Sequence, residues 1–103
     1  FDPSGRLWIV TDSDGRDWPN NGCYVVPTEG AERGRLRQLM SAPTGSEVCG
    51  CEFTPDGRTL FLSIQHPGEG GTLEQPVSDW PDRGGLPPRA AVVAIERDDG
   101  RPV

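Results

Sequence analysis

Short runs of apolar residues, each bounded by turn residues, recur along the chain and predict β-strands. Two of the runs share almost the same turn: the first copy, F-D-P-S-G-R-L-W-I-V, starts at Phe1, and the second, F-T-P-D-G-R-T-L-F-L-S, starts at Phe53. In such a turn Pro presets φ at the first turn position, Asp or Ser bonds its own backbone, and Gly adopts the position of positive φ. The repeat therefore predicts two β-hairpins in equivalent places.

Six strands in two groups of three follow from the same pattern. They are predicted near residues 6–11, 23–26, 35–40, 48–54, 60–65 and 91–96, and the third segment is also compatible with a helical turn. Short antiparallel strands that recur every 40–50 residues or so (roughly one blade) are typical of a β-propeller. A small β-sandwich with one duplicated turn is the alternative. The predicted fold class is all-β, about two blades of a β-propeller, with repeats near 1–46 and 47–103 as parts of one domain.

Two blades are too few for a closed propeller, which usually has about four to eight. The chain also opens on Phe1, without a Met, inside a strand pattern. We therefore expect it to be a fragment of a larger chain, with the rest of its own propeller as its partner. Alone, such a fragment would expose its blade edges, so we expect it to be weakly stable and inactive.

A Pro- and Gly-rich segment, residues 66–90, precedes the last predicted strand. A structureless loop of more than about 20 residues is uncommon in a compact domain and is usually functional or disordered. Trp80 is the one tryptophan of this segment. We expect its side chain to anchor the loop to the body of the protein.

Composition and charge narrow the classes of partner. The chain has 103 residues, a net charge of −6 and ten basic residues, all of them Arg. A nucleic-acid-binding protein normally shows a basic stripe, so no nucleic-acid partner is expected. No apolar run approaches the roughly 18 residues that cross a bilayer, so no membrane span is expected. The 14 Gly and 11 Pro exclude a helical bundle.

The second hairpin fixes which residues meet at its open end. Because the chain reverses at the turn, Glu47 is expected beside Gln65 and His66, and the repeat aligns Asp12 and Ser13 with that pair. These residues are therefore predicted to approach one rim of the sheet, where propeller strands open on a central channel. Gly45 and Gly50 flank Glu47 and permit close backbone approach, and a carboxylate in that setting suits a hard cation. The alternative is a solvated Glu before an edge strand.

Two other polar features also have structural alternatives. His66, the single histidine, could bind a metal, contact a phosphate oxygen or act as an acid, or it could cap the loop by bonding a backbone carbonyl. Asp12, Asp14 and Asp17 resemble a calcium loop. However, Gly15 falls at the fourth rather than the sixth position of an EF-hand and no Glu closes the loop, which favours a polar turn.

The three cysteines are an odd number and cannot form a full disulfide framework. Cys49 and Cys51 could be combined with Cys23 and His66 into a zinc site, but their C-x-C spacing is not the usual one for zinc. In a regular strand both thiols would point to the same face. A zinc site is therefore not expected, and no complete catalytic motif is present.

Several strings along the chain, in order, resemble the C-terminal part of the PhoX family of bacterial alkaline phosphatases. They are F-D-P-S-G-R-L-W-I-V-T-D, N-N-G, G-S-E-V-C-G-C-E-F-T-P-D-G-R-T-L-F-L-S-I-Q-H-P-G-E, and W-P-D before a valine-rich strand. The F-x-P-D-G-x element is common to many propellers, whereas the run that ends in I-Q-H-P-G-E is the most specific part. The resemblance implies a six-bladed propeller that is exported by the twin-arginine (Tat) route. It also implies hydrolysis of phosphate monoesters at a cluster of calcium and iron ions in the central channel.

Two residues match motif positions of that family. Glu47 matches the acidic residue of the family's E-[VI]-T-G stretch, which implies a metal ligand. His66 matches the Q-H-P-G element, which implies a metal or phosphate contact, and Asp12 is a third candidate ligand from its place on the rim. The chain departs from the family pattern at Cys49 and Cys51, where members more often carry Thr and Pro. The family's iron-ligating cysteine belongs to an upstream segment.

The resemblance implies metal-assisted phosphoryl transfer on a small phosphate ester, in a monomeric parent that is periplasmic or secreted. Glu47 would then hold a metal rather than act as the base. Two other classes stay open: a non-catalytic propeller segment that acts as a binding scaffold, and a lactonase-like propeller hydrolase with a single calcium. Metal content distinguishes the three classes. A scaffold does not need stoichiometric metal, and the lactonase-like enzyme needs calcium but no iron.

Overall fold

Six strands form two antiparallel sheets in the computed structural model, which describes residues 1–14 and 20–103. The strands are β1 (Leu7–Val10), β2 (Gly22–Val26), β3 (Arg37–Ser41), β4 (Glu47–Phe53), β5 (Thr59–Gln65) and β6 (Ala91–Glu96). One sheet has the order β1-β2-β3 and the other the order β4-β5-β6, so each is a meander of consecutive strands. The described residues contain no helix. The prediction of six strands in two groups is confirmed, and the segment near 35–40 is a strand.

Both turns have the geometry that their sequences predict, but of the two only the second joins paired strands, β4 and β5, in the described part of the chain. Gly5 N donates to Asp2 O at 2.9 Å, and Gly57 N donates to Thr54 O at 2.8 Å. The two glycines have φ values of 81° and 69°. Residues with a Cβ atom adopt this left-handed region only at a cost, so Gly is the residue that lets the chain reverse tightly here.

The two sheets pack around one small apolar core. Its buried side chains are Cys23, Ala42, Val48, Leu60, Leu62 and Ile64. The three core residues of β5 occupy alternate positions, as expected for a strand with one buried face. Trp8 of β1 and Phe53 of β4 meet edge to face, with ring centroids 5.2 Å apart. This aromatic pair extends the core across the contact between the sheets.

Hydrogen bonds hold the end of β1 against the start of β4. Val48 N donates to Thr11 O at 3.2 Å. The Asn21 side chain donates to Ser46 O at 2.9 Å, and both of these residues are buried. The two sheets are therefore joined where β1 ends and β4 begins.

A bulge in β4 decides which way its cysteines face. The pairing of β4 with β5 changes register around Gly50, which has a φ of 65°. An extra residue in a strand reverses the alternation of side chains beyond it. Cys49 therefore lies beside Glu47, whereas Cys51 packs against the buried core and contacts Cys23. The prediction that both thiols share one face is wrong, because it assumed a regular pleat.

The segment 66–90 is tied to the body of the protein at its start and at Trp80. Gly68 N donates to Thr44 O at 2.8 Å, and Glu69 N donates to Gly45 O at 3.1 Å. Within the segment, Arg89 N donates to Trp80 O at 3.2 Å. The Trp80 side chain packs against the buried core. The prediction that this residue anchors the loop is confirmed.

Candidate metal centre

The open end of the second hairpin brings Glu47 and His66 together. Glu47 is the first residue of β4 and pairs with Gln65, the last residue of β5. His66 follows directly, and its Nε2 lies 3.3 Å from Oε2 of Glu47. The prediction that these three residues share one end of the sheet is confirmed.

Asp12 joins this pair from the first sheet. It follows Thr11, whose carbonyl oxygen accepts the hydrogen bond from β4. One ligand atom from each of Asp12, Glu47 and His66 lies within 4.8 Å of the other two. Within residues 1–14 and 20–103, these three form the one such group of His, Cys, Asp or Glu side chains. The predicted convergence at one rim is confirmed, and its metal role stays a prediction.

The donors of this cluster reach solvent. The Glu47 side chain is 23% exposed and that of His66 is 40% exposed, while Asp12 is exposed. Carboxylate oxygens are the ligands that calcium takes, and imidazole nitrogen together with carboxylate oxygen suits iron. Chemically, the arrangement can offer a cation two carboxylates and one imidazole from the open side of the sheets.

The loop that follows β5 orients the His66 ring. Its Nδ1 lies 3.4 Å from the carbonyl oxygen of Gly45 and 3.2 Å from Oε2 of Glu69. A metal-binding histidine usually donates its other ring N–H to a carbonyl or carboxylate oxygen, which fixes the ring. The two interpretations of His66 are thus compatible: Nδ1 caps the loop, and Nε2 faces Glu47 at the rim.

Hydrogen bonding sets the charges of the cluster. The Cys49 thiol donates to Oε1 of Glu47 at 2.6 Å, which lowers the pKa of the carboxyl and raises the pKa of the thiol. Desolvation lowers the pKa of His66, but the hydrogen bond to Glu47 and the other acceptors around the ring outweigh it and raise that pKa. Glu47 is therefore an anion and Cys49 a neutral thiol at neutral pH.

Asn21 is the residue of this region that the sequence analysis missed. Its Oδ1 accepts hydrogen bonds from Ser13 N at 2.7 Å and from the Thr11 hydroxyl at 3.0 Å. Its Nδ2 donates to Ser46 O at 2.9 Å. One buried side chain thus holds the residues on either side of Asp12 and the residue before Glu47. The N-N-G string was a signal, but the partners of Asn21 depend on contacts far away in sequence.

The two glycines near Glu47 have different roles. A Cβ atom on Gly45 would lie 2.5 Å from the backbone oxygen of Glu69, so glycine permits a close approach of the loop there. A Cβ atom on Gly50 would meet nothing within 4 Å. The prediction of close approach is confirmed for Gly45 and wrong for Gly50, which instead forms the bulge.

The other sequence candidates do not join the cluster. Asp14 lies outside the group formed by Asp12, Glu47 and His66, and Asp17 lies outside the described residues. The residues considered for zinc do not converge, because Cys49 bonds the rim carboxylate while the other two cysteines meet in the core.

Comparisons with known proteins give one family and one solved structure that the chain matches. The model of the family described as alkaline phosphatase PhoX matches residues 1–68. A solved structure, Pseudomonas fluorescens PhoX in complex with vanadate, a transition state analogue, is 40% identical to the chain and superposes with a TM-score of 0.81. The match covers 100% of this chain and 18% of that one. No curated protein sequence matched. The structural match confirms the fold class: an all-β piece of a propeller-type fold.

Proposed function

Because the chain belongs to the alkaline phosphatase PhoX family, we propose that it forms part of a metal-dependent phosphatase that hydrolyses phosphate monoesters. The observation that carries this proposal is the convergence of Asp12, Glu47 and His66 from two sheets at one accessible rim. The solved neighbour was bound to vanadate, a transition state analogue, which supports phosphoryl chemistry. The chain spans 18% of that neighbour, so the proposed activity is that of the whole protein.

Calcium and iron are the ions that we propose for the channel site, and the donors present fit them. The carboxylates of Asp12 and Glu47 would hold calcium, and Nε2 of His66 together with a carboxylate would hold iron. The lowered pKa of Glu47 supports this assignment, because the ligand form of the side chain is the anion. Further ligands would come from other parts of the propeller.

A bound cation would supply the positive charge that stabilises a phosphoryl transition state. The residues of this chain would prepare the site for that charge. Cys49 holds Oε1 of Glu47, which orients the carboxylate so that Oε2 faces His66. Since its pKa is lowered, Glu47 suits a metal ligand better than a general base, whose pKa should lie near the working pH.

The remaining expectations concern the whole protein. Export to the periplasm or beyond, a small phosphate ester as substrate and a monomeric parent stay predictions from the family resemblance. No helix in the described part of the chain is long and apolar enough to cross a membrane.

The test uses the full-length protein. Calcium and iron are measured by elemental analysis, and turnover of p-nitrophenyl phosphate is followed before chelation, after chelation and after the metals are restored. We expect both metals at stoichiometric levels, and turnover that is lost with them and regained with them. A folded protein without metal or turnover would contradict the proposal and leave the scaffold interpretation. Calcium without iron, together with lactone hydrolysis, would point to the lactonase-like class.

A further inference from the structure

Two cysteines from different sheets meet in the core and are not part of the cluster of Asp12, Glu47 and His66. Cys23 of β2 has no exposed surface, and Cys51 of β4 packs against the same buried cluster. The two thiols are close enough for each to shift the pKa of the other. The bulge at Gly50 creates this contact, because without it Cys51 would share a face with Cys49.

We propose that Cys23 and Cys51 form a disulfide that cross-links β2 to β4 and so joins the two sheets. Both residues are free thiols in the structure, and Cys51 packs against the buried cluster that contains Cys23. Forming the bond requires the sulfurs to close to about 2.05 Å. Cys49 takes no part, because its thiol donates a hydrogen bond to the Glu47 carboxylate.

The reaction is a thiol–disulfide exchange with a small-molecule disulfide as the oxidant. The Cys51 thiolate attacks one sulfur of the oxidant, a mixed disulfide forms, and one thiolate leaves. Cys23 then gives up its proton and attacks the Cys51 sulfur, which releases the second thiolate. Two protein thiols are oxidised, the oxidant is reduced to two thiols, and the two protons pass to the leaving thiolates.

The environments of the two sulfurs fix this order. Burial raises the pKa of Cys23 to about 12, and contact with Cys51 adds to the shift. Burial also raises the pKa of Cys51, but the hydrogen bond from Cys23 lowers it, and its side chain is only partly buried. Cys51 is therefore the accessible attacking group, and Cys23 resolves the mixed disulfide.

The cross-link would act on the contact between the sheets. It would join the two sheets that supply Asp12 and Glu47, and it would restrict the unfolded chain between its ends. This inference does not depend on the proposed phosphatase activity, because neither sulfur belongs to the metal cluster.

The experiment is peptide mapping of the full-length protein after equilibration with oxidised glutathione. The protein is denatured in excess alkylating reagent and digested with trypsin. Peptide 17–33 is expected to be linked to peptide 38–58. The mass of the linked pair should be smaller than the summed masses of the two thiol peptides by two hydrogen atoms. Fragmentation assigns the bond within 38–58, and dithiothreitol should release both peptides. Oxidation should remove both cysteines from alkylation and raise the urea midpoint.

Two variants separate the cysteines of peptide 38–58. Cys49→Ser should keep the cross-link, and Cys51→Ser should lose it. If Cys51→Ser fails to fold, the fragmentation spectrum of the wild-type protein still assigns the bond. Full alkylation of Cys23 after oxidation, a stable glutathione adduct on Cys51, or a bond from Cys23 to Cys49 would each overturn the proposal.

Discussion

Oε2 of Glu47 lies 3.3 Å from Nε2 of His66. The two residues meet because Glu47 begins β4 and pairs with Gln65, the residue of β5 that directly precedes His66. The contact depends on the register of one hairpin, and a slip of one residue would turn Glu47 to the opposite face. Asp12 depends instead on the contact between the sheets. The cluster therefore requires both the hairpin and the packing of the two sheets to be correct.

Replacing Glu47 by Gln is expected to lower both bound metal and kcat/KM for an aryl phosphate by at least about 10- to 100-fold, the loss that even outer-shell changes at metal sites cause. Gln keeps the size of the side chain but removes its charge. Glu52→Gln is the matched control, since Glu52 is an exposed carboxylate of the same strand, and it should leave both quantities unchanged. Elemental analysis and turnover check the pair, and wild-type metal content in Glu47→Gln would refute the ligand role.

Asn21→Ala is expected to raise the calcium concentration that gives half-maximal turnover by about 10- to 100-fold. Asn21 contacts none of the ligand atoms but holds the backbone beside Asp12 and Glu47, so its loss should weaken metal binding more than turnover at saturating metal. Asn20→Ala is the control, because Asn20 is its exposed neighbour. Equal calcium dependence in the two variants would show that Asn21 has only a structural role.

Local patterns were sufficient for the two turns and for the open end of the second hairpin. The turn strings fixed where each chain reversal lies, and the reversal placed Glu47 opposite Gln65. The repeat then brought Asp12 to the same rim. The first inference held because it rests on the geometry of a turn and on residues that are near each other along a strand. The second held because the two repeats place equivalent strand ends at one rim.

Contacts between the sheets could not be predicted in this way. The bulge at Gly50 moved Cys51 into the core, since a single inserted residue reverses the pleat. The isolated glycine inside the strand was its one local signal, and the sequence analysis did not use it. The hydrogen bonds of Asn21 and the approach of Glu69 to Gly45 likewise join segments that are far apart in sequence. Such contacts appear only when the sheets are packed together.

Gly45→Ala is expected to destabilise the protein more than Gly70→Ala by about 1–3 kcal/mol, the usual cost of overpacking. Both glycines have positive φ, so the backbone penalty is shared. The added Cβ at position 45 would lie 2.5 Å from the oxygen and 2.7 Å from the nitrogen of Glu69, whereas at position 70 it meets nothing within 4 Å. Urea unfolding of the full-length variants measures the difference. Equal midpoints would mean that the loop does not pack closely against Gly45.

Asp2→Asn is expected to cost about 2 kcal/mol near neutral pH, the free energy that corresponds to the pKa shift of this buried carboxyl. Burial alone would raise the pKa of Asp2, but hydrogen bonds from Trp8, Ser4 and Arg6 outweigh it and lower the pKa from 3.8 to about 2. A depressed pKa stabilises the folded state above about pH 4, and the advantage fades as the pH falls toward about 2. Asp56→Asn, at an exposed position of the other turn, should cost less stability than Asp2→Asn, because solvent screens its interactions. The free energy of unfolding in urea is measured for wild type and Asp2→Asn from pH 7 down to the lowest pH at which the protein stays folded. The two values should converge as the pH falls. A constant difference across that range would contradict the assignment.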